Sequence, residues 1–155
     1  MRRIIRWVIA IIVTATIAVQ FVPVDRSNPP VSRDVGAAPA VASILRRSCY
    51  DCHSNETAWP WYSYVAPVSW LVARDVHEGR EHLNFSTWDA YSPEQQAKLI
   101  REAIEEVESG EMPMSIYLIT HRNAALSNSD LATLRAWANA AARSEGGRSG
   151  DGDDD

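Results

Sequence analysis

Residues 49–53 read Cys49-Tyr50-Asp51-Cys52-His53, which brings together the chain's two cysteines and one of its four histidines. Chance would place two cysteines three apart with a histidine directly behind them on the order of once in three thousand such chains. On a helical turn this spacing puts both sulfurs on nearly one face. There they can bond the two vinyl groups along one edge of a porphyrin, while His53 reaches the iron from the same side. The pentapeptide points to covalent attachment of one haem c through Cys49 and Cys52, with His53 as the proximal iron ligand. Three other chemistries use paired cysteines. A thioredoxin-like centre sits at a helix start inside a βαβ pattern, and a plain disulfide suits an oxidising compartment. A structural zinc site needs four ligands, and the chain has no second cysteine pair.

Upstream, Arg2, Arg3 and Arg6 precede an uncharged, largely apolar run from Trp7 to Val24, interrupted by Thr14, Thr16 and Gln20. About 18 residues rising about 1.5 Å each cover roughly 27 Å, just enough to cross a hydrocarbon core. Arginines at one end hold that end in the cytoplasm and send the rest across. Residues 1–24 are therefore expected to be a membrane anchor or signal. A cleaved signal would have a shorter apolar run ending in small residues. Here the run ends Phe21-Val22-Pro23-Val24-Asp25-Arg26, which favours an uncleaved single-pass anchor in a bacterial cytoplasmic membrane, with the domain facing the periplasm or exterior. That side agrees with the cysteines, because bacteria attach haem covalently beyond the cytoplasmic membrane. Residues 25–39, with Asn28-Pro29-Pro30 and Gly36-Ala37-Ala38-Pro39, read as an extended linker holding the next domain a short distance from the membrane.

Downstream, residues 40–142 read as an all-α, cytochrome c-like domain of four helical stretches. The first runs from about Ala40 into the cysteine motif, with Val41, Ile44, Leu45 and Ser48 at helical spacing. The second begins near Pro67, carries Val68, Leu71, Val72 and Val76, and is expected to stop at Gly79. The third opens with Ser92, Pro93 and Gln95 as a capping box, buries Leu99, Ala103, Ile104 and Val107, and ends at Gly110. The fourth starts at Ser127 with Asp130 in its first turn and turns Leu131, Leu134, Trp137 and Ala138 inward. No stretch alternates as a strand would. Residues 143–155, rich in glycine and aspartate, read as a disordered acidic tail.

A sixth iron ligand has five candidates: Met112, Met114, His77, His82 and His121. Met112 lies between Gly110-Glu111 and Pro113, in an interhelical loop able to bring a thioether across a haem face, and is preferred as the distal ligand with Met114 as the alternative. A lone methionine more often fills a gap in a core. His77 and His82 flank Gly79 and read as solvated, and His121 is free to bond backbone. The run Trp59-Pro60-Trp61-Tyr62-Ser63-Tyr64, with Trp70 and Trp88, offers flat walls for a flat macrocycle, although any one of these rings could simply be core. Arg74 and Arg80 could meet propionates, with Asp75, Glu78 and Glu81 competing for them.

These residues resemble a known family. Ser48 through Thr57, Trp59-Pro60-Trp61-Tyr62, Pro67-Val68-Ser69-Trp70, His82-Leu83-Asn84-Phe85-Ser86, Tyr91-Ser92-Pro93-Glu94, Gly110-Glu111-Met112-Pro113, Tyr117 and Leu126-Ser127 are similar to the bacterial haem-binding domain family of exported c-type cytochromes. The anchor and Asp25-Arg26-Ser27-Asn28-Pro29-Pro30 are similar too, so the likeness runs from the start of the chain to about Ala142. The resemblance implies a single haem on Cys49 and Cys52, His53 as axial ligand, and Met112 as the methionine of the Gly-Glu-Met-Pro loop. Met114 departs from it, standing where members commonly carry a second proline, and gives the iron a rival thioether.

The net charge of −5, to which four aspartates of the tail contribute, argues against nucleic-acid binding. The expectation is single-electron transfer to an unidentified redox protein, with no enzymatic step. The alternative is a haem-based sensor or ligand-binding module whose weak sixth ligand a gas displaces. A peroxidase-like enzyme would need an open distal side with an acid–base group, and no such arrangement is visible.

Overall fold

The computed structural model describes residues 1–146. Their regular elements are helices: α1 Arg2–Ala18, α2 Pro39–Ser48, α3 Tyr50–His53, α4 Val68–His82, α5 Pro93–Ser109, α6 Ser115–Leu118 and α7 Asn128–Gly146, with short 3₁₀ turns between several of them. The chain is all-α, as expected. Of the expected acidic tail, residues 147–155 lie outside the described residues, and helix α7 continues through Arg143 to Gly146.

Local chemistry accounts for the best-defined boundaries. The Gln95 amide donates to Ser92 Oγ at 3.3 Å, and the Ser92 amide donates to Gln95 Oε1 at 2.8 Å. This reciprocal box satisfies two otherwise orphaned donors at the start of α5, and Pro93 occupies the position that needs none. At the other end Gly110 takes φ +83°, a left-handed conformation that costs glycine little, and α5 stops there.

The core gathers Val41, Ile44 and Leu45 from α2, Ile100 and Ile104 from α5, and Leu134 from α7. Burying each such side chain contributes about 1.5–3 kcal/mol. Between them runs an aromatic stack: Tyr50 on Phe85 at 5.4 Å between centroids, and Phe85 on Trp88 at 6.0 Å. On α2 the buried residues are Val41, Ile44, Leu45 and Ser48, as the periodicity predicts.

Helix α4 departs from expectation twice. It does not stop at Gly79 but continues to His82, and it buries Ser69, Ala73, Val76 and Gly79. Val68 and Leu71 are left exposed. Small side chains are what allow α4 to lie close against α3, so the apolar residues turn elsewhere. Helix α5 is rotated slightly from its predicted stripe. Ala97, Ile100 and Ile104 are buried, whereas Leu99, Ala103 and Val107 are half-buried and face a cavity.

The segment 25–39 has little helix, as its prolines demand, and it is laid along the body. Ser32 and Arg33 amides donate to Ser86 O at 3.0 and 3.2 Å, and the Trp88 amide donates to Arg33 O at 3.0 Å. Asp34 accepts from the Tyr50 hydroxyl and pairs with Arg46 at 2.7 Å. Helix α1 is different. The most apolar 18-residue window of Arg2–Phe21 has mean hydropathy 2.1, and 0% of that window is buried inside the protein. Where α1 ends, the Gln20 side chain donates to Ala66 O at 3.2 Å and accepts from the Ala66 amide at 3.0 Å.

Candidate functional site

The cysteine motif straddles a helix junction. Helix α2 ends at Ser48, Cys49 breaks the helical geometry with φ −127°, and α3 restarts at Tyr50. The His53 amide still donates to Cys49 O at 2.9 Å, so the two sulfurs remain a single turn apart. Both cysteines and His53 line one cavity of about 650 Å³, within the range of cofactor pockets. Met112 and Met114 line it too, as do the apolar side chains of Leu99, Val107 and Trp137.

The thiols are free and half-buried. Burial pushes Cys49 up to about 12 and Cys52 up to about 11, the latter helped by Asp51 and Asp75. Both are therefore neutral thiols near pH 7, the reverse of the depressed values that make a thioredoxin-like cysteine nucleophilic. Among the described residues no group of three or more His, Cys, Asp or Glu side chains is placed to hold a metal ion.

His53 has one ring nitrogen committed. Nδ1 lies 2.9 Å from Gly79 O and 3.2 Å from Leu83 O. Both partners only accept, so Nδ1 carries the proton and Nε2 keeps the lone pair that binds metals. Burial holds the imidazole below its ordinary pKa, against the opposing pull of those two carbonyls. The contact to Gly79 requires close approach, and glycine permits it. A Cβ at position 79 would stand 2.8 Å from Cys52 O. Gly79, expected as a helix stop, is instead the point where α4 crosses the motif and orients its histidine.

The methionine loop is pinned at both ends. Amides of Glu111 and Met112 both donate to Glu106 O at 3.1 Å, and Met114 O accepts the Tyr117 and Leu118 amides of α6. One turn into α6, the Tyr117 hydroxyl donates to Asp51 Oδ2 at 2.7 Å. Burial and that carboxylate push the phenol well above its ordinary value. Asp51 Oδ1 accepts the Ala58 amide at 3.1 Å. The residue between the cysteines thereby ties the methionine loop to the motif. Both methionines line the first cavity, and Met114 but not Met112 also lines a neighbouring groove of about 350 Å³.

The profile of the family described as "Haem-binding domain" matches residues 14–140. This chain belongs to the haem-binding domain family. No curated protein and no solved structure matches it.

The cavity suits what this haem-binding domain takes. Two thiols, an imidazole with a free Nε2 and two thioethers meet in a largely apolar space. Ser48 Oγ on its wall is buried without a hydrogen-bond partner, a polar atom left for a ligand to meet.

Other expected contributors fall elsewhere. Arg80 does not reach the cavity. Its guanidinium donates to Ser54 O at 2.8 Å, Ser27 O at 3.0 Å, Asn28 Oδ1 at 2.8 Å and Thr57 Oγ1 at 2.9 Å, so it fastens chain segments together. Arg74 pairs with Glu78 one turn away. The cavity mouth is acidic, with Asp75, Glu78, Glu102 and Glu105 around it and neither arginine. The aromatic run does not wall the cavity either. Trp61 and Tyr62 line the second groove, Trp88 is in the core, and the indole on the cavity wall belongs to Trp137. Of the histidines, His77 is exposed beside Asp25, and exposed His82 sits at the mouth. His121 stacks on Tyr117 at 4.1 Å. For Gly79 the one signal is the presence of Ser69 and Ala73 on the same helix, which the more apolar Val68 and Leu71 outweigh. For Tyr117 no local pattern exists.

Proposed function

We propose that this haem-binding domain is a membrane-anchored, monohaem c-type cytochrome that passes single electrons on the extracytoplasmic side of a bacterial cytoplasmic membrane. The observation that carries this reading is the meeting of two thiols, the His53 Nε2 lone pair and a loop-borne thioether in one cavity. Haem held there supplies a one-electron ferrous/ferric couple. Cys49 and Cys52 would tether the macrocycle by thioether bonds, His53 would hold the iron from the motif side, and Met112 would hold it from the loop. Histidine with methionine would raise the reduction potential and occupy both iron positions a substrate could take, which suits a carrier and not an enzyme. Leu99, Val107 and Trp137, on the cavity wall, would exclude water from the ring. The Tyr117–Asp51 bond keeps the methionine loop closed. A redox protein would meet the domain through a small, transient interface, and α1 would keep the domain at the membrane.

The test begins with the mass of full-length protein exported by a host that matures c-type cytochromes: one covalently added haem is expected. In the ferric protein the weak long-wavelength Met–iron charge-transfer band should be present, lost in Met112→Ala and retained in Met114→Ala. The reduced protein should not bind carbon monoxide. Rapid carbon monoxide binding with a high-spin ferric spectrum would replace electron transfer with the sensor reading, and absence of any covalent haem would sink both.

A further inference from the structure

Several large apolar residues outside the cavity have nothing over them. The second groove runs between the 3₁₀ turn Trp61–Tyr64, α4 and α6. Its rim carries Trp61, Val68, Leu71, Ile116 and Ile119, with Trp61 78% and Ile119 70% exposed. Tyr64, at the end of the same turn, is exposed too. A cluster of this size is uncommon on a surface that meets only water.

Where the cluster sits decides what covers it. Ala66, between Tyr64 and Val68, is bonded in both directions to the side chain of Gln20. Gln20 lies inside the apolar run that ends at Val24, not beyond it. If α1 crosses the bilayer, Gln20 is at the boundary between hydrocarbon and headgroups, because the run is only just long enough to span. Its hydrogen bonds then bring the turn before α4 down to the same level. Tryptophan and tyrosine favour that level, since an indole or phenol sets its ring among acyl chains and its polar atom among headgroups. The charge there is also suitable. The Arg26 guanidinium lies over the Tyr64 ring at 4.4 Å, where it can meet lipid phosphate.

We infer that the face formed by Trp61, Tyr64, Val68, Leu71, Ile116 and Ile119 rests in the outer headgroup region of the bilayer that α1 crosses. The domain thus lies on the membrane in one orientation and does not swing on a tether. This rests on the anchor reading of α1 made above, and it adds a lipid-binding surface to the domain itself. The amphipathic burial is shallow, of the kind that interfacial helices make.

The experiment uses the full chain in phospholipid nanodiscs, with benzoylphenylalanine replacing Ile11, Trp61, Lys98 or Ile119 one at a time. After irradiation, mass spectrometry reads phospholipid adducts. Adducts at positions 11, 61 and 119 and none at Lys98, on a helix packed against α7, are expected. Adducts at 11 alone would overturn the lipid-facing surface while leaving the anchor intact. No adduct even at 11 would show that α1 does not span, and the inference would fail with it. A product of twice the protein mass from 61 or 119 would assign the face to a second copy of the chain and overturn the inference.

Discussion

At position 79 an added methyl group has nowhere to go. It would press on the Cys52 carbonyl at 2.8 Å, and that carbonyl belongs to the backbone and has little freedom to yield. Gly79→Ala should therefore destabilise the protein by about 1–3 kcal/mol, as overpacking does, although alanine is the better helix former. Urea unfolding measures it, and a midpoint equal to wild type would refute the close crossing. Asp130 makes a second single-residue prediction. Its carboxylate accepts the Ser127 amide at 2.9 Å and hydroxyl at 2.8 Å, and pairs with Arg47 at 2.9 Å. Those hydrogen bonds, ahead of the Arg47 charge, lower its pKa. A lowered folded-state value means that the stabilisation is complete above the ordinary carboxylate value and is lost as pH falls through the lowered one. The stability gap between wild type and Asp130→Asn, measured by denaturation at a series of pH values, should be widest near neutrality and close below about pH 4.

Between elements, the bond from α6 to α3 is the one to break. Tyr117→Phe deletes the hydroxyl that meets Asp51 and should cost about 1 kcal/mol of stability. If the loop carries the distal ligand, the Met–iron band should also fade at a lower temperature than in wild type. Asp51→Asn keeps an acceptor oxygen and should fade less. Such a bond spans 66 residues of chain, and nothing local in the sequence marks it. What the sequence does mark is short-range. The Ser92–Gln95 box, Gly110 and the inward face of α2 are legible because capping and periodicity act within a few residues. That Cys49, Cys52, His53 and Met112 share one cavity is legible too, because three of them lie within five residues and the fourth lies in a loop between helices. The face of α4 is not, since Val68 and Leu71 are more apolar than Ser69, Ala73 and Gly79. Which side is buried depends on how close α3 must come, a tertiary demand. Arg80 misleads for the same reason. A lone arginine near a cofactor motif suggests an anion partner, and its four chain acceptors come from segments far apart in sequence.

Across the whole molecule, the segment before α2 decides where the folded unit starts. Composition alone marks residues 25–39 as a spacer, yet their amides, carbonyls and Asp34 are engaged with Ser86, Trp88, Arg46 and Tyr50. A spacer can be cut away without loss. This segment is bonded into the folded body. For anyone preparing a water-soluble version of the protein, the practical consequence is a cloning boundary. A fragment beginning at Asp25 retains these hydrogen bonds, whereas one beginning at Pro39 strips partners from the Tyr50 hydroxyl, the Ser86 carbonyl and the Trp88 amide. Scanning calorimetry of the two should find the shorter fragment melting at least about 5 °C lower, and its yield after export should drop in step as proteases clear the loosened material.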